Sequence, residues 1–411
     1  MIPLGEARRF VLDGCACSRT ESLPLHAALG CVTTATVSAE GPVPPFANTA
    51  MDGFAVRASD TTDAPVVLRI TGTVRAGMSG LDNPVGAGEA VRIMTGAPVP
   101  PGADAIVMVE LTNAGDDGET VTVLEAVPVG NHIRPAGDDV VSGDVVLHPG
   151  IALTPGHLGL LATIGATHVE VVRRPRVGVI STGDELIDDG SALEPGQIRD
   201  SNRLTIRSLV AESGFEAIDL GLVRDDEQAI SDALLAGVET CDALVTTGGV
   251  SMGDFDFVKV VLDRIGDMRW MQIAIKPSKP LAFGTITRPS DGTKVPVFGL
   301  PGNPVSSMVS YELFCRPGLR KMAGFDEANL DRPTVLAIVE EPLSRKPDGK
   351  IHFARVVCRY DMESGTYRVR SAGAQGSHHM AAMAAADALA ELPDGPTIEI
   401  GQAVRVRLLR P

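Results

Sequence analysis

A chain of 411 residues is too long for a single hydrophobic core and calls for several domains. Hydrophobic residues at 44% and charged residues at 21% are ordinary for a soluble globular protein. A net charge of -16 argues against nucleic acid or an anionic membrane as the main partner, so an anionic ligand must be met by local basic groups. No apolar run reaches the length of a membrane span, and MIPLGEARRF has no signal-peptide core. The cysteines, Cys15, Cys17, Cys31, Cys241, Cys315 and Cys358, form no CxxC pair and suggest neither a disulfide framework nor a zinc site. A reducing, cytoplasmic location is expected.

Taken in order, residues 5–18 read as a helix with apolar positions at Ala7, Phe10, Val11 and Cys15. Beyond Gly30, the runs VVLRITG, AVRIMTG, AIVMVE and TVTVLEAV read as short strands between turn residues, so 23–139 is expected to be a β-rich domain. Thr154 and Pro155 start a helix running to about Ile164, and VEVV follows as a strand. Segments 1–22 and 140–173 are expected to pack together as a split linking domain. From Arg176, strands alternate with helices: RVGVIST, a helix capped by Asp200-Ser201-Asn202, FEAIDLGLV, a helix capped by Asp225-Asp226, DALVTT, and VPVFGL. That alternation predicts a doubly wound, parallel αβα domain over 174–326. Residues 327–411 alternate again in TVLAIVE, IHFARVVCRY, YRVRSA, TIEI and AVRVRLL, and read as a small antiparallel β-barrel, with Ala-rich 381–390 as a loop or short helical turn. The fold class is therefore multidomain α/β plus β.

Ligands of such open sheets bind beyond the carboxyl ends of the strands. Gly183-Asp184-Glu185, Asp225-Asp226, residues 248–256 and residues 301–307 all fall there. In DALVTTGGVSMGDFDF, Gly248 and Gly249 let backbone N–H groups approach a phosphate, Ser251 adds a hydroxyl, and Asp254 and Asp256 follow. Taken alone, the Gly-Gly pair also reads as a tightly packed turn. Asn303-Pro304 reads as an N-cap and first-turn proline, a second anion site with Gly302 ahead and Ser306-Ser307 behind, or as a plain cap. Lys276-Pro277-Ser278-Lys279-Pro280 holds two ammonium groups on a stiffened backbone, or is a solvated loop. Facing a dianion, each ammonium contributes on the order of 4 kcal/mol before desolvation. Asp52, Glu185, Asp225, Asp226, Asp254 and Asp256 are the acidic candidates. Carboxylates converging on phosphate need a cation between them, and Mg²⁺ suits oxygen ligands shared with phosphate. Each acid alone also reads as a cap or surface charge, Asp225 most readily as an N-cap. His132, His352, His378 and His379 show no metal-ligand spacing, and no histidine is assigned a role.

TAMDGFAV, IMTGAPVPPGADAIVMVE, RPAGDDV, GVISTGDEL, GQIRDSN, TTGGVSMGDFD, IKPSKPLAFG and GLPGNPVSS occur in this order. Together they closely resemble the molybdopterin molybdenumtransferase family, which includes the E domain of gephyrin, and the resemblance covers nearly the whole chain. It implies a Mg²⁺-requiring enzyme that takes adenylated molybdopterin and molybdate as substrates, releases AMP and leaves molybdenum on the dithiolene. It also implies an elongated homodimer, in which the β-rich domain carrying Asp52 completes the partner's site. The adenylyltransferase that makes the substrate, and molybdoenzyme chaperones, are the further partners it suggests.

By matching motif, Asp52, Thr95, Arg134, Asp139, Glu185 and Asp225 or Asp226 are implied as the catalytic lining. Gly248, Gly249, Ser251 and the turn Pro301, Gly302, Asn303 are implied as the cradle for pterin phosphate and nucleotide. Lys276, Lys279, Pro280, Ser306, Arg355 and Ser377 are implied as the molybdate site, and Glu185, Asp226, Asp254 and Asp256 as metal ligands. Three departures stand out: Phe54 where Tyr is common, Ser278 where Gly is frequent, and Ala381-Ala382 where Ser-Ser is usual. Two other functions stay open. The α/β domain alone also resembles the adenylyltransferase and nucleotide pyrophosphatases, and gephyrin-like domains serve as peptide-binding scaffolds.

Overall fold

A computed structural model describes residues 1–115, 118–249 and 257–410, so Ser251, Asp254 and Asp256 lie outside the described residues. The first helix, α1 (Leu4–Asp13), stops well before the expected residue 18. Gly14 ends it by lying flat on Phe283, where a Cβ would come within 2.4 Å of the ring. Ala7 and Val11 of α1 are buried with Val177, Val179, Phe283 and Phe298. This helix, expected in the linking domain, thus packs into the α/β core, because its apolar stripe meets the aromatic face of that sheet.

The linking region is instead built on the strand Thr20–Pro24, paired antiparallel with His168–Val172. Helix α2 (Pro155–Thr163) starts at Thr154. The Thr154 hydroxyl accepts the His157 N–H, and the His157 ring in turn accepts the Thr154 N–H at 3.1 Å. Leu147, Leu153, Leu161 and Val169 form the core there.

Two chain passages lead from this region into the β-rich domain, Val37–Ser38 pairing with Val145–Leu147 and Val43 bridging Val140. Its six-stranded sheet runs, in spatial order, Ala105–Met108, Gly53–Val56, Glu89–Ile93, Val66–Val74, Thr120–Val123 and Thr112–Ala114. Both faces are covered: Phe54 and Val56 enter one cluster and Ala55 the other, as strand alternation requires. Phe54 is buried, so its missing hydroxyl concerns the core of this domain.

The α/β sheet has the spatial order Glu216–Val223, Arg176–Thr182, Ala243–Thr247, Lys294–Leu300, Pro280–Thr287, Gly266–Gln272. The first four strands are parallel, and the last two join antiparallel as a hairpin edge the alternation had not foretold. Helices α3 (Asn202–Glu212), α4 (Glu227–Thr240), α5 (Phe257–Ile265), α6 (Pro304–Ser310) and α7 (Arg316–Met322) cover it. Val177 and Val179 point toward α1, α3, α6 and α7, whereas Ile180 points toward α4 and α5. The sheet is therefore doubly wound.

The C-terminal strands Ile351–Asp361, Thr366–Ser371, Thr334–Val339, Ala403–Leu408 and Ala388–Leu392 close into a barrel through the pairing of the first with the last. One joint, Thr334–Val339 with Thr366–Ser371, is parallel, so the barrel is not wholly antiparallel. The Ala-rich stretch holds α8 (Met380–Ala385) and then the strand Ala388–Leu392. Only barrel closure recruits that strand, since Ala and Leu carry little strand preference. TIEI contributes one bridge, Ile398 to Leu343. Among the described residues no helix is long and apolar enough to cross a membrane.

Candidate functional site

The parallel strands Arg176–Thr182, Ala243–Thr247 and Lys294–Leu300 end on one edge, which carries Glu185, Gly248, Gly249 and the Pro301-Gly302-Asn303 turn side by side. Gly248 adopts φ +91°, and a Cβ there would lie 3.2 Å from the Thr182 carbonyl, so the loop takes a course closed to most side chains. Its N–H donates to the Leu300 carbonyl at 3.1 Å, which ties the second strand end to the third.

The GQIRDSN stretch does more than cap α3. Asp200 accepts the Ser181 hydroxyl and the Arg203 N–H, both at 3.1 Å, and Ser181 lies 2.7 Å from the Thr247 hydroxyl. Asn202 donates to the Gly302 carbonyl at 2.7 Å. Neither residue was singled out for the site. The available signal was a polar run directly between a strand's carboxyl end and a helix.

Around the start of α6 several of the expected groups meet. Asn303 occupies the N-cap position, but its side chain makes no capping bond. The Val305 N–H donates to the Ser377 carbonyl at 3.1 Å, so the barrel loop is fastened to this turn. The Ser307 hydroxyl donates to the Pro301 carbonyl. Lys276 lies on the short strand Ile275–Lys276, which pairs with the barrel strand Ile351–Asp361. The loop behind it is closed by the Ile273 N–H donating to the Lys279 carbonyl at 2.7 Å, and the strand Pro280–Thr287 starts at Pro280. The Lys276 and Lys279 ammonium groups are exposed and make no hydrogen bond or ion pair among the described residues. Between them, buried Ser278 donates its hydroxyl to the Ser306 carbonyl at 2.5 Å.

Arg355, expected at the molybdate site, is enclosed among backbone carbonyls. It is 1% exposed, and its guanidinium donates to the carbonyls of Phe353, Ala374 and Gly376 at 3.2–3.4 Å. Among the described residues no carboxylate pairs with it, and burial pulls its pKa down to about 10. It holds up the loop that presents Ser377 from below. The Gly376 N–H donates to His379 Nδ1 at 3.1 Å, a histidine role the spacing did not reveal.

The acidic candidates separate. Asp226 accepts the Ala229 N–H at 2.8 Å and is the N-cap of α4, so the capping role expected of Asp225 falls to its neighbour. That employment also makes Asp226 a poorer metal ligand. The Asp225 N–H donates to Asp184 at 3.3 Å, and burial, then Asp184 and Glu185, raise the Asp225 pKa. Among the described residues no three metal-ligating side chains gather.

Asp52 and Thr95 come together in the β-rich domain. Asp52 accepts both the N–H and the hydroxyl of Thr95 at 2.7 Å, bonds that lower its pKa. Arg134 sits on the strand Ile133–Arg134, beside Asn48–Thr49, and the Asp139 N–H donates to the Val43 carbonyl at 2.9 Å. All four side chains are exposed, and none bonds to the α/β domain among the described residues. The residues expected to share one site thus lie in two separate groups.

Three family models match in sequence: the MoeA N-terminal region (domain I and II) over residues 2–165, a probable molybdopterin binding domain over 178–321, and the MoeA C-terminal region (domain IV) over 341–409. The molybdopterin molybdenumtransferase of Haemophilus influenzae is 38% identical over 92% of this chain and 91% of its own. The chain belongs to the molybdopterin molybdenumtransferase (MoeA) family. Molybdopterin molybdenumtransferase 2 of Mycobacterium tuberculosis is also 38% identical, over 95% of each chain. The gephyrin of Dictyostelium discoideum is 32% identical over all of this chain and 62% of its own. The crystal structure of a molybdopterin biosynthesis MoeA protein from Pyrococcus horikoshii superposes with a TM-score of 0.79 at 29% identity, covering all of both chains.

Proposed function

We propose that this member of the MoeA family is a Mg²⁺-dependent molybdopterin molybdenumtransferase, which inserts molybdate into adenylated molybdopterin with release of AMP. The observation that carries this reading is the junction at α6. There, the loop that carries Lys276 and Lys279, the PGNP turn and the Ser377 loop are fastened together by the Ser278–Ser306 and Val305–Ser377 bonds. Two cations on a braced loop, unpaired among the described residues of a protein of net charge -16, suit a small dianion.

In this reading Lys276 and Lys279 bind the molybdate oxygens, with Ser306 and Ser377 as hydroxyl donors and Arg355 as a buried positive charge behind the loop. Gly248, Gly249 and Gly302 leave backbone room for the pterin phosphate and nucleotide. Charge neutralisation is the main requirement for transfer at a phosphoanhydride. Burial first, and then the charges of Asp184 and Glu185, raise the Asp225 pKa, and neighbouring carboxylates of this kind suit a hard divalent ion. Glu185 and Asp225, with Asp254 and Asp256, would hold Mg²⁺. When bound, that ion supplies charge neutralisation at the anhydride oxygens. Asp52, fixed by Thr95, with Arg134 and Asp139, would act on the same adenylate from a second copy of the chain in a homodimer.

A function confined to the α/β domain, adenylyl transfer or pyrophosphate hydrolysis, leaves the barrel without a part. The lysine strand's pairing with the barrel speaks against it. The test is AMP release from adenylated molybdopterin with Mg²⁺, with and without molybdate. Release that requires molybdate and yields active cofactor is expected. Hydrolysis indifferent to molybdate would mean a pyrophosphatase, and no hydrolysis would leave the scaffold role.

A further inference from the structure

We propose that Ser278 is a positioning residue that sets the width of the oxyanion cradle by tying the lysine loop to the first turn of α6. The inference rests on the oxyanion reading above. Ser278 is one of two described non-glycine residues with positive φ, at +72°. A serine there carries a steric cost that glycine escapes, and it persists only where its surroundings hold it. What holds it is one buried bond. Ser278 is 2% exposed and Ser306 is 5% exposed, and the hydroxyl of the first donates to the carbonyl of the second at 2.5 Å. Glycine would meet the backbone conformation better, so what the serine adds is the bond.

The bond has a geometric consequence. The lysine loop is pinned at its base by Ile273 N–H to the Lys279 carbonyl. Its tip, Ser278, lies between Lys276 and Lys279 and is pinned to the first turn of α6. The opposing wall is braced independently, by Asn202 on Gly302, Ser307 on Pro301 and Val305 on the Ser377 carbonyl. A tetrahedral dianion sitting between two walls of set separation is selected by size as well as by charge. Without the Ser278 bond the loop keeps only its two ends, Lys276 on the barrel strand and the Lys279 carbonyl on Ile273, and its tip is free to shift the spacing between them and α6. The lysines then move relative to Ser306 and Ser377, and the cradle accepts smaller oxyanions more readily.

The test compares wild type, Ser278→Ala and Ser278→Gly in titration calorimetry with molybdate and with sulfate, alongside thermal unfolding. Both variants are expected to weaken molybdate binding by about 5- to 10-fold, the scale of one hydrogen bond, and to reduce the preference for molybdate over sulfate. The half-saturating molybdate concentration for AMP release is expected to rise by the same factor. Stability is expected to part from affinity: Ser278→Gly, freed of the strained φ, melts above Ser278→Ala although it binds no better. If Ser278→Gly regains wild-type affinity and selectivity, Ser278 is only structural and the proposal falls. Unchanged affinity in both variants also overturns it. Lys279→Ala separates the two levels of inference. A wild type that binds molybdate and loses it with Lys279→Ala supports the oxyanion reading whatever Ser278 does. A wild type that binds none overturns that reading and the tether together.

Discussion

The two halves of the site, the lysine junction at α6 and the Asp52 group in the β-rich domain, are both made of short polar stretches beside strand ends, yet they are held very differently. The junction is cross-braced at several points: buried Ser278 on buried Ser306, Asn202 on Gly302 at the surface, Val305 on Ser377, and buried Arg355 beneath the loop. The Asp52 group has one internal clamp, Thr95, and stands exposed on a domain reached through two chain passages. Buried hydrogen bonds are costly to break and set a geometry in advance. An exposed group on a narrow connection acquires its geometry from whatever it meets. In the proposed reading, anion binding would belong to a cradle already formed, and the Asp52 group would come to the reaction from outside it.

The largest effect that tests this division is Asp52→Ala. Turnover is expected to fall at least about 100-fold, while calorimetric molybdate binding and the melting temperature stay near wild type. Substantial residual turnover would take Asp52 out of the site. The converse variant, Lys276→Ala with Lys279→Ala, is expected to raise the molybdate requirement by about 10- to 100-fold, as loss of two cations beside the anion should. An unchanged requirement would make the lysine loop structural. Mixing the two variants under conditions of subunit exchange sharpens the comparison further. If a second copy delivers Asp52, roughly a quarter of wild-type activity returns, since half the dimers are mixed and each holds one intact site. No recovery means that both halves of a site come from one chain.

The smallest effect concerns Asp225. Its pKa is raised in the folded state, so its ionised form opposes folding; the penalty is full above the folded pKa and gone below the ordinary carboxylate value. Asp225→Asn is expected to raise the melting temperature by about 1–2 °C at neutral pH in the absence of divalent ions, with the gain shrinking toward pH 4. A gain that stays constant with pH would show that charge is not its source.

Much of this was legible in local pattern. The strand–helix alternation after Arg176 announced a doubly wound sheet, and the Thr154-Pro155 start of α2 was readable because capping is a contact between residues three apart. The glycines of the strand-to-loop turn were readable too, since backbone freedom is a property of the residue itself. The misses have one character. The first helix was placed with its neighbours in sequence, but its stripe found Phe283. The strand Ala388–Leu392 has no strand signature and exists because a barrel needed closing.

What the amino-acid sequence determined by itself is the local course of the chain, the family to which it belongs and the chemical inventory of the site. Both periodicity and motif act over a few residues, and one chain displays them in full. Partnership was decided only by the tertiary structure. It enclosed Arg355 among backbone carbonyls, gave the capping role to Asp226 rather than Asp225, and set the candidate site residues in one braced group and one exposed group. Those outcomes depend on which distant carbonyls and carboxylates lie within hydrogen-bonding reach, a property of packed elements that no local pattern carries.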